Sequence, residues 1–549
     1  METHCIPQVG LPKTTAFYRD YIDHFESAAP FYGAGSPFDP ASFRAVASSL
    51  DYSDDLRAQV VRILTRQNRA YGAGAGTLKN LRLLGDSGTV AVVTGQQVGL
   101  FSGPAFTLYK ALSAVKLAHR LRDQGLNAVP IFWLATEDHD LEEVASTAVL
   151  DDDYLLVPLR DPGVRPAPHS SVGYVRFSEE VTAALDRFEA TLPRGESRHS
   201  LLRDLREAYV PGASWGEAFA RFLARLFDRW GVILLDALDL ELHQLALPVY
   251  AQAISGAREL NARLRERSEA LVRAGYHAQV HVDDESSLLF VSQEGNRTAL
   301  RLERKSSDFV LDRNGRMTAK EARRLAEERP LDVSPNAIFR PIVQDWLLPT
   351  VTSVVGPAEL TYHAQSAVLY PVFGRPQPVI APRTSFTLLD PRSERILKTY
   401  RLRVEDVWHQ EDHLRERIAE VGFAEGWEQR LEASQQEITR ILDVMRRDIA
   451  AIDPTLLAAS DRARRRTAYQ FERLKGKVTR AAFARSEVLR RHEQALRAFL
   501  LPHGELQERS VGGVYFLGRA GYELLERLLP LISTDSACHH IFRFQYAPA

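Results

Sequence analysis

Four consecutive polar residues, Glu137, Asp138, His139 and Asp140, follow the apolar run 127–135. Such a short apolar run is typical of a strand buried on both faces, and ligands in parallel α/β sheets bind beyond the carboxyl ends of such strands. Carboxylates placed there can bind a cationic amine, and an imidazole can transfer a proton. We therefore predict that these four residues are catalytic. Coordination of Mg²⁺ and plain surface charge stay open as alternatives.

A second candidate site follows the apolar run 90–93, where a glycine-punctuated turn leads to Pro104, a residue that suits the start of a helix. Backbone N–H groups of such a turn can approach an anion at the helix N-terminus. The turn matches neither the dinucleotide fingerprint nor the Walker pattern, so NAD and ordinary P-loop chemistry are disfavoured. Glycines that serve only packing are the alternative. The predicted binding residues of this turn and its helix are Thr94, Gly95, Gln96, Gln97, Gly99, Ser102, Gly103 and Lys110.

A third group lies where the β-branched run 350–355 ends at Gly356. The helix that follows carries Glu359 and His363 four residues apart and therefore on one face, so both could meet a ligand beside the glycine. His363 is thus a second candidate for proton transfer, with a core histidine as the competing interpretation. A last strand is predicted over residues 378–388. The other binding residues predicted in these segments are Tyr362, Arg383 and Ser385.

The elements that must position these residues predict an α/β fold. Run 90–93, a helix and run 127–135 form a β-turn-α-β unit, which favours a parallel sheet. Residues 245–274 are predicted to be helical, and residues 278–310 alternate as in an antiparallel meander. We predict four segments: an N-terminal segment packed on the core (1–88), a catalytic core (89–390) with insertions at about 146–230 and 245–349, an α-helical coiled-coil domain (391–505) and a C-terminal segment that docks back on the core (506–549).

The region from about residue 404 to residue 499 has a different texture. Apolar residues with a spacing of four and three predict two long antiparallel helices, interrupted by Pro454. Because a protruding helical hairpin usually needs a partner surface, we expect a homodimer. The apolar positions are Leu431, Ile438, Leu442, Met445, Ile449 and Ile452, followed by Phe471, Leu474, Val478 and Ala481.

Length and composition narrow the class of protein. The chain has 549 residues, which predicts more than one structural unit, and its hydrophobic fraction of 45% is that of a soluble globular protein. A formal net charge of −2 gives no reason to expect a nucleic-acid partner. The two cysteines, Cys5 and Cys538, are too few for a disulfide framework. Without a basic and apolar leader or a membrane-spanning run, we expect a cytoplasmic protein that does not enter membranes.

Several motifs together resemble a known family. They are Thr94-Gly-Gln-Gln-Val-Gly-Leu-Phe-Ser-Gly-Pro, Lys110, the segment from Trp133 through Glu-Asp-His-Asp, Val354-Val-Gly-Pro-Ala-Glu-Leu-Thr-Tyr-His-Ala-Gln, Pro382-Arg-Thr-Ser-Phe-Thr-Leu and Leu506-Gln-Glu-Arg. In this order they are similar to the bacillithiol biosynthesis cysteine-adding enzymes, the cysteine ligases. Because the matches run across nearly the whole chain, chance is a poor explanation.

The resemblance implies a Rossmann-like core similar to class I aminoacyl-tRNA synthetases, with inserted connecting elements, and a dimer formed through the coiled coil. It adds Trp133 to the binding residues and likens Gly356, Glu359 and His363 to the nucleoside-holding motif of class I enzymes. It also implies bound ATP or ADP, with a second nucleotide pocket for which Gln507, Glu508 and Arg509 are the candidates.

The chain departs from class I enzymes at both phosphate-gripping motifs. Ser102-Gly-Pro-Ala stands in place of His-Ile-Gly-His, and Pro382-Arg-Thr-Ser in place of Lys-Met-Ser-Lys-Ser. No cysteine pair is present for a zinc site that would select a thiol, so no zinc is expected, whereas Mg²⁺ stays possible.

The resemblance implies a ligase that adds L-cysteine to glucosaminyl malate in the last step of bacillithiol synthesis, with ATP as the expected cosubstrate. Amide formation needs an activated carboxyl group and an amine that loses a proton. The alternatives are a ligase that uses another amine and a nucleotide-binding scaffold or regulatory protein of a thiol-biosynthesis pathway.

Overall fold

The central sheet is built from short, buried, apolar strands. The computed structural model describes residues 4–164, 170–293, 296–304, 306, 308–311, 315–408, 411–422 and 427–546. The strands of all sheets in the described residues are β1 (His4–Pro7), β2 (Val90–Gln96), β3 (Ala128–Leu134), β4 (Ser146–Leu150), β5 (Leu156–Arg160), β6 (Ile233–Asp236), β7 (Ser286–Gln293), β8 (Asn296–Leu302), β9 (Phe309–Leu311), β10 (Gly315–Met317), β11 (Val333–Pro335), β12 (Thr350–Val355), β13 (Val379–Pro382), β14 (Ser385–Leu389) and β15 (Cys538–Arg543).

Five of these strands form a parallel sheet in the order β13-β12-β2-β3-β6. Every residue of β3 is buried, as are the first five residues of β2, because helices cover both faces of a parallel sheet. The predicted parallel α/β core is therefore confirmed. The sheet register pairs Gly95 with Trp133 and Leu134 with Asp236, so these strands end at nearly the same level.

Fifteen helices precede residue 390 in the described part of the chain. They are α1 (Ala16–Asp23), α2 (Phe25–Ala28), α3 (Pro40–Ser49), α4 (Asp54–Ala70), α5 (Ala75–Gly85), α6 (Phe106–Asp123), α7 (Leu141–Val144), α8 (Val181–Ala190), α9 (Glu196–Ala208), α10 (Trp215–Phe227), α11 (Leu240–Ser255), α12 (Ala257–Arg273), α13 (Ala319–Glu328), α14 (Arg340–Leu347) and α15 (Pro357–Ser366). The helical prediction for residues 245–274 is confirmed, with an interruption at Gly256 between α11 and α12.

The insertion between α12 and α14 forms a second sheet, in the order β10-β9-β8-β7-β11. All its strand pairs are antiparallel, which confirms the predicted meander. A shorter antiparallel hairpin, β4 with β5, follows α7.

The single strand predicted over 378–388 is wrong. The chain leaves the parallel sheet after Pro382 and enters a different sheet at Ser385, so that β14 lies in the order β1-β15-β14. Arg383 and Thr384 make the crossing, and the Arg383 N–H still donates to the Val355 carbonyl at 2.9 Å. This crossing turns Arg383 beyond the carboxyl end of the parallel sheet.

The chain divides into two compact units, 1–151 with 156–388 and 508–549, and 152–155 with 389–507. The second unit is helical: α16 (Pro391–Thr399), α17 (Val404–Trp408), α18 (Glu411–Gly422), α19 (Trp427–Ile452), α20 (Leu457–Arg485) and α21 (Glu487–Leu500). Helices α19 and α20 pack on each other across the turn at Pro454. Arg446 on α19 and Asp461 on α20 lie 2.9 Å apart.

After residue 507 the chain belongs to the first unit again, through α22 (Gln507–Ser510), α23 (Gly513–Ala520), α24 (Glu523–Leu528) and β15. Strand β15 pairs with β1, and a disulfide joins Cys538 to Cys5, a pairing that the sequence did not indicate. Gln8 Nε2 donates to the carbonyls of Cys538 and Arg383 at 2.9 and 3.0 Å. Within the described residues, no helix is both long and apolar enough to cross a bilayer.

Candidate active site

One cleft of about 640 Å³ lies beyond the carboxyl ends of β2, β3, β12 and β13. Parallel strands end at one edge of their sheet, and this edge brings together segments that are far apart in sequence. The predicted site residues that line the cleft are Gly95, Gln96, Gln97, Lys110, Trp133, Glu137, Asp138, His139, Gly356, Glu359, Tyr362, Arg383 and Arg509.

The β12 side of the cleft is basic. Lys110, which is buried, reaches back from α6 so that Nζ donates to the Gly95 carbonyl at 2.8 Å and to Gln96 Oε1 at 3.0 Å. Nζ also forms an ion pair with Glu359, whose carboxylate accepts from the Gly356 N–H at 2.8 Å. Burial alone would raise the pKa of Glu359, but Lys110 and this N–H outweigh it and hold the pKa below its ordinary value. Glu359 therefore stays ionised.

Two arginines extend this basic side. Arg383 is buried and pairs with Glu508 at 2.6 Å, while its guanidinium lies 5.2 Å from the centre of the Phe106 ring. Arg340, at the start of α14, donates to the Tyr362 hydroxyl at 3.0 Å. Each cation is thus held by a partner within the protein, which fixes its position before any ligand arrives.

The β3 side of the cleft is acidic and more open. Asp138 accepts hydrogen bonds from the His139 N–H and from Gln97 Nε2, both at 2.7 Å. The side chains of Asp138 and His139 remain 32% and 34% exposed. Arg297 donates to His139 Nδ1 at 3.0 Å, which assigns Nδ1 the role of acceptor because a guanidinium can only donate.

Arg297 enters the cleft from strand β8 of the antiparallel insertion. Its guanidinium lies 4.0 Å from the centre of the Phe290 ring and donates to the Pro335 carbonyl at 2.8 Å. Arg297, Phe290 and Arg340 are not predictable from the sequence, since a half-buried meander strand and a helix start carry no signal of which distant cleft they face. The other lining residues that the sequence does not predict are Phe106, Ala135, Glu143, Val280, Pro335, Asn336, Ala337, Pro357 and Ala358.

Several predicted binding residues of the glycine turn lie away from the cleft lining. Gly99 and Gly103 pack against each other, since a Cβ on Gly99 would lie 2.7 Å from Gly103 Cα. Between them, Phe101 and Ser102 adopt positive φ angles of 49° and 74°. The buried Phe101 ring is held by the Tyr209 ring, with centres 4.9 Å apart. Packing therefore holds this segment in place, and a binding role for its residues stays a prediction.

Four other predicted residues have structural partners. Thr94 Oγ1 donates to the Val354 carbonyl at 2.8 Å, and Ser385 contacts His539 Nδ1 at 2.7 Å. Asp140 caps α7 by accepting from the Glu143 N–H at 3.1 Å. His363 is buried, and burial, with the nearby charge of Arg340, lowers its pKa to about 3. A neutral imidazole is thus expected there near neutral pH.

The three candidates for a second nucleotide pocket separate. Arg509 lines the main cleft, whereas Glu508 is buried against Arg383 and accepts from the Phe386 N–H at 3.1 Å. Gln507 donates to the Phe499 carbonyl at 3.0 Å. Their role in a second pocket stays a prediction. Over the described ranges, no group of three or more His, Cys, Asp or Glu side chains is arranged to hold a metal ion.

A cleft with this distribution of charge can hold a molecule that has a cationic amine at one end and an anion at the other. The acidic side offers carboxylates to the amine and a route for its proton. The basic side offers fixed cations to a carboxylate or a phosphate. The arrangement suits the joining of an amine to an activated carboxyl group.

Comparisons with known proteins support the same family along the whole chain. The family model described as the bacillithiol biosynthesis BshC N-terminal Rossmann-like domain matches residues 1–384, and that of the BshC C-terminal coiled-coil domain matches residues 386–544. These matches confirm the predicted Rossmann-like core and coiled coil.

Individual relatives agree with the family models. A protein of Solibacter usitatus named "Putative cysteine ligase BshC" is 37% identical over 541 residues, 98% of this chain and 99% of that protein. Relatives of the same name from Koribacter versatilis and Bacillus cereus are 36% and 26% identical, over 96% and 91% of this chain and 98% and 93% of theirs. A solved structure named as a "putative arginyl t-RNA synthetase", from Campylobacter jejuni, matches 86% of this chain and 98% of its own at 10% identity. Its TM-score of 0.22 is too low to establish a common fold.

Proposed function

Because this chain belongs to the bacillithiol biosynthesis BshC family, we propose that it is the ligase that joins L-cysteine to glucosaminyl malate, the last step of bacillithiol synthesis. The observation that carries the proposal is the division of one cleft into an acidic and a basic side. Glucosaminyl malate has an amine on its sugar and two carboxylates on its malate, so its charges complement the two sides.

The residues of the acidic side bind and deprotonate the amine in this proposal. Asp138 and Glu137 attract the ammonium form, which first gives up one proton and so frees its electron pair. A carboxylate takes the second proton when the neutral amine nitrogen attacks the activated cysteinyl carbonyl. A C–N bond forms, and the activating group departs with its electron pair. His139, fixed by Arg297, orients the reacting groups.

The basic side binds anionic groups. Lys110, Arg340, Arg383 and Arg509 are the donors that would hold the malate carboxylates or the phosphates of ATP, the proposed cosubstrate. Mg²⁺ bound with the nucleotide would neutralise phosphate charge when present. We further propose that the protein is cytoplasmic and works as a homodimer through α19 and α20.

The direct test is mass spectrometry of reactions that contain purified protein, glucosaminyl malate, L-cysteine, ATP and Mg²⁺, with each component omitted in turn. We expect bacillithiol only in the complete mixture, together with AMP or ADP, which identifies the activation step. Product formed with another amine in place of glucosaminyl malate, at equal rate, would overturn the proposed substrate.

A paired variant separates a ligase from a scaffold. Replacing Asp138 and His139 with alanine should abolish product while the Tm and the oligomeric state stay unchanged. A scaffold would keep its function in this variant, because it needs no charged cluster in a cleft.

A further inference from the structure

A buried histidine, His243, lies behind the acidic side of the cleft. His243, on α11, is 3% exposed, and its Nε2 lies 3.2 Å from Glu137 Oε1. Its Nδ1 lies 3.0 Å from the carbonyl oxygen of Pro330. Glu137 itself lines the cleft, so the chain of contacts runs from the protein interior to the place where substrate would lie.

The two partners of His243 determine its protonation. A carbonyl oxygen can only accept, so Nδ1 carries a proton, while Nε2 faces the carboxylate of Glu137 at 3.2 Å. Burial alone would lower the pKa of His243, but Glu137 and the carbonyls of Pro330 and Ala237 outweigh it and raise the pKa above its ordinary value. The surroundings of His243 therefore favour its imidazolium form.

Other titratable groups face this pair from neighbouring elements. The Tyr250 ring stacks on His243 with ring centres 5.8 Å apart, and burial raises the pKa of Tyr250 so that it stays neutral. Tyr174 and the cation of Arg297 also lie within electrostatic range of Glu137. Glu137 is therefore a carboxylate flanked by a buried cation on one side and a cleft cation on the other.

The competing proton acceptors are already engaged. Asp138 accepts from the N–H groups of His139 and Asp140 and from Gln97. His139 Nδ1 accepts from Arg297, and the His363 imidazole is buried beneath the cleft. Glu137 differs from them in that it both lines the cleft and lies 3.2 Å from a buried imidazole behind it.

We propose that Glu137 accepts the proton of the attacking amine and that His243 is its positioning residue, which holds and orients the carboxylate from behind the cleft. This inference rests on the proposed ligase function. In the step, the amine nitrogen uses its electron pair to form the C–N bond, its proton moves to Glu137, and the activating group leaves the cysteinyl carbonyl with its own electron pair. His243 touches neither substrate nor reacting atoms.

The kinetic test compares His243→Gln, Glu137→Gln and the double variant, with His119→Gln on α6 as the matched control. We expect His243→Gln to lower kcat about 10- to 100-fold with little change in KM. The pH profile of kcat should move relative to wild type, because this variant lacks the buried imidazole beside the proton-accepting carboxylate. The double variant should be no slower than Glu137→Gln alone, since His243 acts through Glu137.

A structural role would give a different pattern. Additive losses in the double variant, or a lower kcat with an unmoved pH profile, would overturn the positioning role. The control should behave as wild type throughout.

A second measurement does not depend on ligase activity. Nitrogen NMR of the ¹⁵N-histidine-labelled full chain, with the His243 signal assigned from its loss in His243→Gln, should show an imidazolium at pH 7 that becomes neutral in Glu137→Gln. If wild type makes no bacillithiol but the NMR result holds, the proposed function fails while the paired groups stand. A neutral His243 in wild type would overturn the inference itself.

Discussion

The two sides of the cleft are built differently. On the basic side, buried Lys110 and Arg383 have carboxylate partners, Glu359 and Glu508, inside the protein. On the acidic side, Asp138 and His139 are about one-third exposed and are held by backbone N–H groups, Gln97 and Arg297. The buried cations of the basic side are thus paired during folding, whereas Asp138 and His139 keep exposed surface; Glu137, which lies beside buried His243, is the exception on the acidic side.

The largest effect should come from removing a buried cation of the basic side. Arg383→Met leaves Glu508 charged, buried and without its partner, so the free energy of unfolding should fall by about 3–5 kcal/mol in urea titrations. Arg229→Met, which removes an exposed ion pair with Glu526, is the matched control and should change stability little. Equal effects of the two variants would break the comparison.

The acidic side should respond in activity instead of stability. Asp138→Asn should reduce kcat/KM for bacillithiol formation about 10²-fold or more, because an amine loses its charged partner. Its free energy of unfolding should change by less than about 1 kcal/mol, since the side chain is partly exposed. Glu142→Gln, on the exposed face of α7, should be as active as wild type. A destabilised but fully active Asp138→Asn would contradict this division of roles.

Mild acid should lower the free energy of unfolding through His363, a buried residue next to the basic side. Its pKa is about 3 in the fold, against an ordinary value of 6.5. Between these values the unfolded chain binds a proton that the folded chain does not, so stability falls as pH falls. At pH 5 the loss is about 2 kcal/mol. His363→Gln should flatten the stability profile between pH 6.5 and 5, whereas His24→Gln, at an exposed site, should leave its slope as in wild type. An unchanged slope in His363→Gln would mean that His363 binds a proton equally well in the folded and the unfolded chain, which contradicts this prediction.

The smallest effect sharpens the boundary of the acidic side. Asp140 caps α7, and asparagine caps helices about as well as aspartate, so Asp140→Asn should be nearly neutral in both stability and activity. Asp140→Ala should lose about 1 kcal/mol by thermal or urea unfolding. A loss of activity in Asp140→Asn as large as that in Asp138→Asn would restore Asp140 to the catalytic residues.

The sequence predicted the strands and the acidic cluster because both are local. Buried apolar runs such as β3 have few alternatives to a central strand, and Glu137 to His139 follow it directly. What the sequence did not reveal depends on contacts between distant segments. Tyr209 pins the glycine turn at Phe101, and Arg297 reaches the cleft from the insertion.

Two further misses have the same cause. The contact of His243 with Glu137 joins helix α11 to a loop more than a hundred residues earlier, and no pattern of residue spacing in the sequence predicts it. The sequence predicts one continuous strand across Arg383, because the segments on both sides of it are rich in apolar, β-branched and aromatic residues. They differ only in their partner strands, which are β12 for β13 and β15 for β14.

The Cys5–Cys538 disulfide makes the chain a covalent ring with two short tails, since 533 positions separate the two cysteines. A protease that cuts once anywhere inside that ring linearises the molecule without releasing a fragment. The two pieces would separate on a denaturing gel only after a reductant is added, because the disulfide between β1 and β15 keeps them joined.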